Sequence, residues 1–220
     1  MFNPFKKHIK NQGKDNIISF FGSSKKNFTT ENIIKVDGCN NRIIFDNVRK
    51  FRKSRIKISG NNNLVRINEG SSGQFTLFVE ADNCVVEIGK NVWFNGTEIH
   101  LRDNNSRVII GDETIIALET AIFCSDFHAI TDRNGKPLNQ GREIIIGRHC
   151  WIGKWAKILK NVRIADNTII GAGAFVSKSC EEENVILAGN PAKIVKRDVY
   201  WVKAKYDEQE KVYLNKTGTN

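Results

Sequence analysis

The sequence predicts an all-β solenoid, a parallel β-helix with three flat walls. Three observations carry that prediction. Residues 146–176 repeat in sixes: IGRHCW, IGKWAK, ILKNVR, IADNTI and IGAGAF, closing on Val176. An aliphatic residue opens every block. The second place is small or turn-prone in most blocks (Gly147, Gly153, Ala165, Gly171), and the fifth is compact or β-branched (Cys150, Ala156, Val162, Thr168, Ala174). A period of six matches neither the 3.6 residues of a helix nor a two-sided strand. It matches a short strand and a corner, three blocks to each turn of a triangular coil. Second, the same phasing starts earlier, with IGDETI, IALETA and IFCSDF opening at Ile110, Ile116 and Ile122, and it resumes at Ile146, 24 residues after Ile122. Third, a looser repeat precedes it. NNRIIF from Asn40, NNLVRI from Asn62, NCVVEI from Asn83 and NSRVII from Asn105 close on Phe45, Ile67, Ile88 and Ile110, which are 22, 21 and 22 residues apart. That is an eighteen-residue turn with a few extra residues at a corner.

In chain order, residues 1–30 show no period and are expected to form a cap or arm. The coil is expected to begin near Ile33, so that 31–196 is one domain. The first residue of each block points to the axis, the fifth lies where walls converge, and Gly in the second place suits a corner that a Cβ would crowd. Residues 131–143 (TDRNGKPLNQGRE) are polar and turn-rich, and phase is kept across them, so they read as an excursion from one corner. Long loops of this kind are often functional. The strict repeat closes around Ser179, and Asn190-Pro191 sets a turn. Residues 197–220 read as a short amphipathic C-terminal helix and tail. About seven turns at roughly 4.8 Å each make a prism about 30 Å long, whose flat walls favour a symmetric oligomer.

Composition narrows the function. The chain has 220 residues, and its three prolines and seventeen glycines argue against low complexity. There is no run of about eighteen apolar residues, hence no membrane span, and MFNPFKKHIK lacks the apolar core of a secretory signal. Five scattered cysteines (Cys39, Cys84, Cys124, Cys150, Cys180) with no CxxC spacing read as reduced apolar residues of a cytoplasmic protein. The net charge of +10 is concentrated: residues 1–60 hold fourteen Lys/Arg and four Asp/Glu, and the other 160 hold twenty of each. Lys53, Arg55 and Lys57 sit in the densest part. A basic surface of this kind either aids solubility or steers a polyanion.

Four histidines are available. His8 lies in the arm. His100 follows Ile99 and faces outward. His149 occupies an outward fourth place, where a subunit contact is open to it. His128 closes IFCSDFHAI at the edge of the excursion, where an imidazole on a rigid scaffold beside a polar loop suits acid–base work; a surface histidine capping the loop is the plainer alternative. No HxxxxH pair exists, so no metal site is expected.

Three segments in order, SDFHAI (Ser125–Ile130), IGRHCWIGKWAKILKNVRI (Ile146–Ile164) and IIGAGAFVSK…VILAGNPAKIVK ending at Lys196, resemble the hexapeptide-repeat acyltransferases. Within them they are most similar to the O-acetyltransferases of polysialic acid and capsular polysaccharides. The match covers roughly residues 85–197. The resemblance implies a left-handed coil, a homotrimer and acetyl-CoA as donor. It makes His128 the general base that takes a proton from a sugar hydroxyl, worth about 10²–10⁴-fold, with direct transfer in a ternary complex. Asp126 either orients His128 or is an ordinary corner residue. Trp151 corresponds to the family's aromatic beside the donor; Trp155 departs from the usual small residue. The donor's contacts fall on Gly153, Lys154, Gly171 and Gly173, and on Ala188, Asn190, Pro191, Lys193, Lys196 and Arg197, the basic ones meeting phosphates. Cys124 and Cys150 sit at interior places and are rejected as nucleophiles.

The acceptor implied is an anionic bacterial surface glycan held by Lys53, Arg55 and Lys57. The protein is then cytoplasmic, with peripheral placement at the inner membrane, where polysaccharide is assembled, as a further option. Two other readings stay open: acetylation of a small free or nucleotide-linked sugar, and a structural, polyanion-binding coil without activity. No nucleic-acid module is present.

Overall fold

The computed structural model describes residues 8–203. They form a three-walled parallel β-helix. Each strand of one turn pairs in parallel with the strand below it and the strand above it, and three flat ladders result. The second wall shows this most simply. Ile17–Phe21, Arg42–Asp46, Leu64–Ile67, Val85–Ile88, Arg107–Ile110, Glu143–Ile146 and Val162–Ile164 stack in order, and an Ile164–Cys180 bridge adds an eighth pass. The first wall starts with Ile9–Gln12, Ile33–Asp37 and Arg55–Ser59 and ends with Ala121–Phe123, Lys157–Leu159 and Phe175–Val176. The third wall carries Ile115–Ile116, Trp151–Ile152, Ile169–Ile170 and Ile186–Ala188. In mid-molecule, Ser72–Val79 and Trp93–Leu101 run through a corner and serve both the third and first walls.

The repeats map onto this coil residue by residue. Phe45, Ile67, Ile88 and Ile110 are direct partners in the second wall. The block-opening residues Ile116, Ile122, Ile146, Ile152, Ile158, Ile164, Ile170 and Val176 are all buried, as are Cys150, Ala156, Val162, Thr168 and Ala174 at the fifth place. Turn length sets the filling. The eighteen-residue turns are packed by Ile, Val and Ala. The 21- and 22-residue turns enclose a wider section, filled by Phe28, Phe45, Phe51, Phe75 and Phe94, with Phe20 stacked on Phe45 at 4.8 Å.

The asparagines of the early repeat have a separate cause. Asn40, Asn62, Asn83 and Asn105 all have φ between 57° and 63°, the left-handed region that Asn tolerates best after Gly. Each turns the chain from the first wall to the second. The residue after each is buried and joins a ladder along the corner. Asn63 Nδ2 donates to Asn41 Oδ1 (3.0 Å) and to the Ala81 carbonyl (2.9 Å), and the Cys84 amide donates to Asn63 Oδ1 (2.8 Å). Glycines sit where the backbones of successive turns nearly touch: a Cβ on Gly38 would lie 2.1 Å from the Gly60 carbonyl oxygen.

Several expectations need correcting. The coil starts at Ile9, not near Ile33, because Ile9–Gln12 and Ile17–Phe21 already pair with the turn above. The part of the expected arm from residue 8 to 30 is thus the first turn; residues 1–7 lie outside the described residues. The excursion is longer than 131–143. Strand structure stops at Phe123 and resumes at Glu143, since Asp126, at the fifth place of its block, is exposed instead of buried. The coil also continues past Ser179 through Ile186–Ala188, which makes about eight turns, and ends in an antiparallel hairpin with Lys193–Lys196. Residues 197–203 contain no helix. The rest of the expected C-terminal helix lies outside the described residues.

Candidate active site

The excursion leaves the corner between the first and second walls. Buried Ser125 accepts from the Phe127 amide through its Oγ at 3.0 Å, and Phe127 adopts φ 66°. A bulky residue in the left-handed region is strained and persists only where its surroundings hold it. Here the ring is held by Phe123, His100 and the Arg102 guanidinium, at 5.7, 5.5 and 5.2 Å between centres. The turn projects the next residue, His128, into solvent.

The loop is built around Asn139. Its Nδ2 donates to the His128 carbonyl (2.9 Å) and to Asp126 Oδ2 (2.8 Å), and its Oδ1 accepts from the Ile130 amide (2.7 Å). Asp126 forms an ion pair with Lys160, one turn further along the coil. The Lys160 hydrogen bond is the main cause holding the Asp126 carboxyl below its ordinary value, and Asn139 adds to it against the opposing effect of partial burial. Asp126 therefore does not meet the His128 ring. It fixes the histidine's backbone through Asn139 and leaves the imidazole free to face a ligand. The excursion also has structure of its own: Thr131 bridges Pro137, and Asp132 Oδ1 accepts from the amides of Asn134 and Lys136.

Trp151 lies elsewhere. It stands 44% exposed on the third wall, which is the wall opposite the excursion corner. One protomer therefore cannot bring His128 and Trp151 together. Beside Trp151, the returning chain lays Trp201, only 9% exposed, flat on the His149 ring (4.3 Å), with Trp201 Nε1 donating to the His149 carbonyl (2.7 Å). His149 also meets Asn167 through Nδ1 (3.1 Å) and takes the left-handed corner position at φ 50°. These contacts make His149 a corner and strap residue. Below it a hollow of about 350 Å³ is lined by Arg49, Trp93, Glu113, His149, Trp201 and Lys203.

The corner between the third and first walls carries Gly153, Lys154, Trp155 and, one turn on, Gly171 and Gly173. Only Gly173 faces open space. A Cβ on Gly153 would meet the Ile170 carbonyl oxygen at 2.7 Å and one on Gly171 would meet the Ala188 Cβ at 3.1 Å. Their amides are spent within the coil, donating to Ile170 and Leu187. Close packing of turns explains these two glycines, and Gly173 remains as the place where a ligand can approach the backbone. Trp155, 55% exposed at φ 62°, hydrogen-bonds Glu119 through Nε1 and lies under the Lys154 ammonium (4.1 Å). At the C-terminal end, Ala188 closes the last parallel strand, and Asn190, Pro191, Lys193 and Lys196 are exposed around the hairpin. Arg197 is not free: its Nε donates to Glu182 at 2.8 Å.

Lys53 turns the corner into the first wall at φ 53°, and Arg55 and Lys57 point outward from that wall. Lys57 pairs with Glu80 at 3.2 Å. Cys124 and Cys150 are fully buried, and burial pushes both thiols up to about 12, so neither is a thiolate near neutral pH. Sequence reasoning missed Asn139, Lys160 and Trp201, whose roles come from partners far away in the chain.

Residues 143–178 match the family model for the bacterial transferase hexapeptide (six repeats). The chain is 31% identical over 196 residues, 89% of either chain, to a polysialic acid O-acetyltransferase of Neisseria meningitidis. Among solved structures, that of the polySia-specific acetyltransferase NeuO covers 95% of this chain and 97% of its own, at a TM-score of 0.79 and 26% identity. That of the polysialic acid O-acetyltransferase OatWY covers 94% and 98%, at 0.75 and 27%.

Proposed function

Since the chain belongs to the hexapeptide-repeat, left-handed β-helix O-acetyltransferases, we propose that it moves an acetyl group from acetyl-CoA to a hydroxyl of an anionic glycan of the polysialic acid type, with His128 as general base. Membership makes the chain an acyltransferase, and the reading as an inert polyanion-binding coil falls with it.

The observation that carries the proposal is the His128 turn. A strained Phe127, anchored on an aromatic cluster, and an Asn139–Asp126–Lys160 clasp hold the backbone of one residue whose imidazole is left exposed. A hydroxyl is a weak nucleophile at neutral pH. An imidazole nitrogen accepts its proton as the oxygen attacks the thioester carbonyl; the new C–O bond replaces the C–S bond, and the departing thiolate takes the proton from the imidazolium. Neither Cys124 nor Cys150 intervenes as a nucleophile, because both are buried and protonated.

The positions of His128 and Trp151 on opposite sides of the prism support a site shared between copies. The excursion of one protomer meets the third wall and the Gly173 corner of the next, in a closed homotrimer. Trp151 then lines the thioester end of the groove. Lys154 flanks it, Gly173 allows close approach, and Lys193 and Lys196 meet the nucleotide phosphates. Arg197, tied to Glu182, steadies the hairpin instead.

The test is thiol release from acetyl-CoA by purified protein over a panel of acceptors, beside His128→Ala. The expected result is turnover with an acidic polysaccharide and a loss of about 10²–10⁴-fold in kcat for the variant. A fully active variant removes His128 as the base, and turnover confined to monosaccharides replaces the polymer acceptor with a small sugar.

A further inference from the structure

On the first wall one outward position repeats in register through successive turns: Lys10, Lys35, Lys57, Phe78, His100 and Phe123 are direct strand partners, each one turn above the last. The column changes character half way along. Its lower half is three lysines. Its upper half is three rings, with Phe78 and His100 stacked at 4.8 Å and 25° and His100 and Phe123 tilted at 5.4 Å. Phe127, 37% exposed, caps the rings from the excursion and immediately precedes His128.

These rings are not core. The prism interior at the same turns is filled by Leu77, Ile99 and Ile122, each fully buried on the neighbouring inward position. Nor does the column have the composition of a subunit contact, because lysine is depleted at the centre of such interfaces and Lys10, Lys35, Arg55 and Lys57 all stand exposed on this wall. Glu80 ties the two halves together, pairing with Lys57 at 3.2 Å and with Arg102 Nε at 2.8 Å; Arg102 in turn lies over Phe127. Side chains that hold one another in place offer a rigid face at little entropic cost on binding.

We infer that this column is the binding track of the acceptor. An acidic glycan lies along the first wall, with the C–H face of its sugars on Phe78, His100, Phe123 and Phe127 and its carboxylates against Lys35 and Lys57. Aromatic faces carry negative charge density that suits the polarised C–H bonds of a pyranose, and lysines serve carboxylates as point charges. The register gives the scale. Lys57 lies three turns from Phe123, about 14 Å at ~4.8 Å per turn, so rings and charges bind different sugar units of one chain. The track rests on the acetyltransferase reading for its last step only, the presentation of a hydroxyl to His128.

The test uses the full-length protein with polysialic acid as the probe and a neutral dextran as control. Phe78→Leu keeps volume and removes the aromatic face; Lys35→Glu reverses one charge outside the excursion. Each is expected to raise the acceptor KM about three- to tenfold, with kcat and the acetyl-CoA KM within about twofold. Retention of polysialic acid by immobilised protein without acetyl-CoA should fall in parallel, and dextran should not be retained. Unchanged acceptor KM and retention in both variants overturn the track. So does dissociation of the assembly by either substitution in sedimentation, which assigns the wall to a subunit contact. If the wild type retains polysialic acid through these side chains but never releases CoA, the track stands and the transfer reading falls.

Discussion

At the scale of single residues, the site depends on a few side chains that hold a backbone. Asn139 is the clearest case, bonding three groups of the excursion at 2.7–2.9 Å. Asn139→Ala removes all three contacts and frees the His128 carbonyl. We expect kcat to fall between about ten- and a hundredfold, the cost of loosely held catalytic geometry, with the acetyl-CoA KM unchanged. A fall in KM alone, with kcat intact, would contradict this. The Asp126–Lys160 pair sets the acid side of the same behaviour. The folded-state carboxyl lies below its ordinary value, so its contribution to loop stability is complete above the unfolded-state value, near 4, and is lost as pH falls through the folded one. Above pH 5 the Asp126 carboxylate stays ionised, and Asp126→Asn should leave the shape of the kcat–pH profile unchanged in the neutral range while lowering its height. A displaced acid limb would show that Asp126 acts on the imidazole itself.

At the scale of elements, the corner ladder is the feature most open to measurement. Asn63 is buried and satisfies an amide, a carbonyl and a neighbouring asparagine at once. Asn63→Ala leaves the Cys84 amide and the Ala81 carbonyl without those partners inside the protein. The expected cost is about 3 kcal/mol, read as a lower urea midpoint with an unchanged slope. A cost below about 1 kcal/mol would mean that water replaces the ladder. The strands themselves are short, two to five residues in most of the coil, and no strand of that length is stable alone. Each is held by the turn above and the turn below, together with an inward aliphatic side chain whose burial is worth about 1.5–3 kcal/mol.

At the scale of the whole molecule, the decisive fact is that His128 and Trp151 occupy opposite sides of one prism. A shared site makes a definite prediction. His128→Ala and Trp151→Ala homo-oligomers are each expected to be nearly inactive, but unfolded together and refolded they form mixed trimers. Over the whole randomly refolded population, an unaltered His128 faces an unaltered Trp151 at about a quarter of the interfaces. Activity should recover to about that fraction of the wild type, measured as CoA release. No recovery, with mixed oligomers demonstrated by mass, would place both residues' functions within one protomer. Charge follows the same geometry. Of the excess of +10 in residues 1–60, +8 belongs to residues 8–60 and lies on the early turns, distant along the axis from Lys193 and Lys196; on the proposed reading, acceptor and donor then meet basic groups at opposite ends of the coil.

The sequence alone determined the coil, because a period of six is a direct record of which residues face the axis, and His128 could be picked out because it follows the last regular block before phase is interrupted. It also held the corner asparagines in plain view as an unexplained repeat at Asn40, Asn62, Asn83 and Asn105; their reason, a left-handed backbone and a buried ladder, became visible only when the turns were stacked. The early start at Ile9 was hidden because longer, phenylalanine-filled turns blur the period. Tertiary structure alone decided that Asp126 grips Asn139 and Lys160 and leaves the imidazole untouched, that Gly153 and Gly171 are small for the sake of the next turn, and that Trp201 folds back onto His149. Each of these contacts joins residues a dozen or more positions apart, and no local pattern encodes which side chains a coil will set side by side on its outer face.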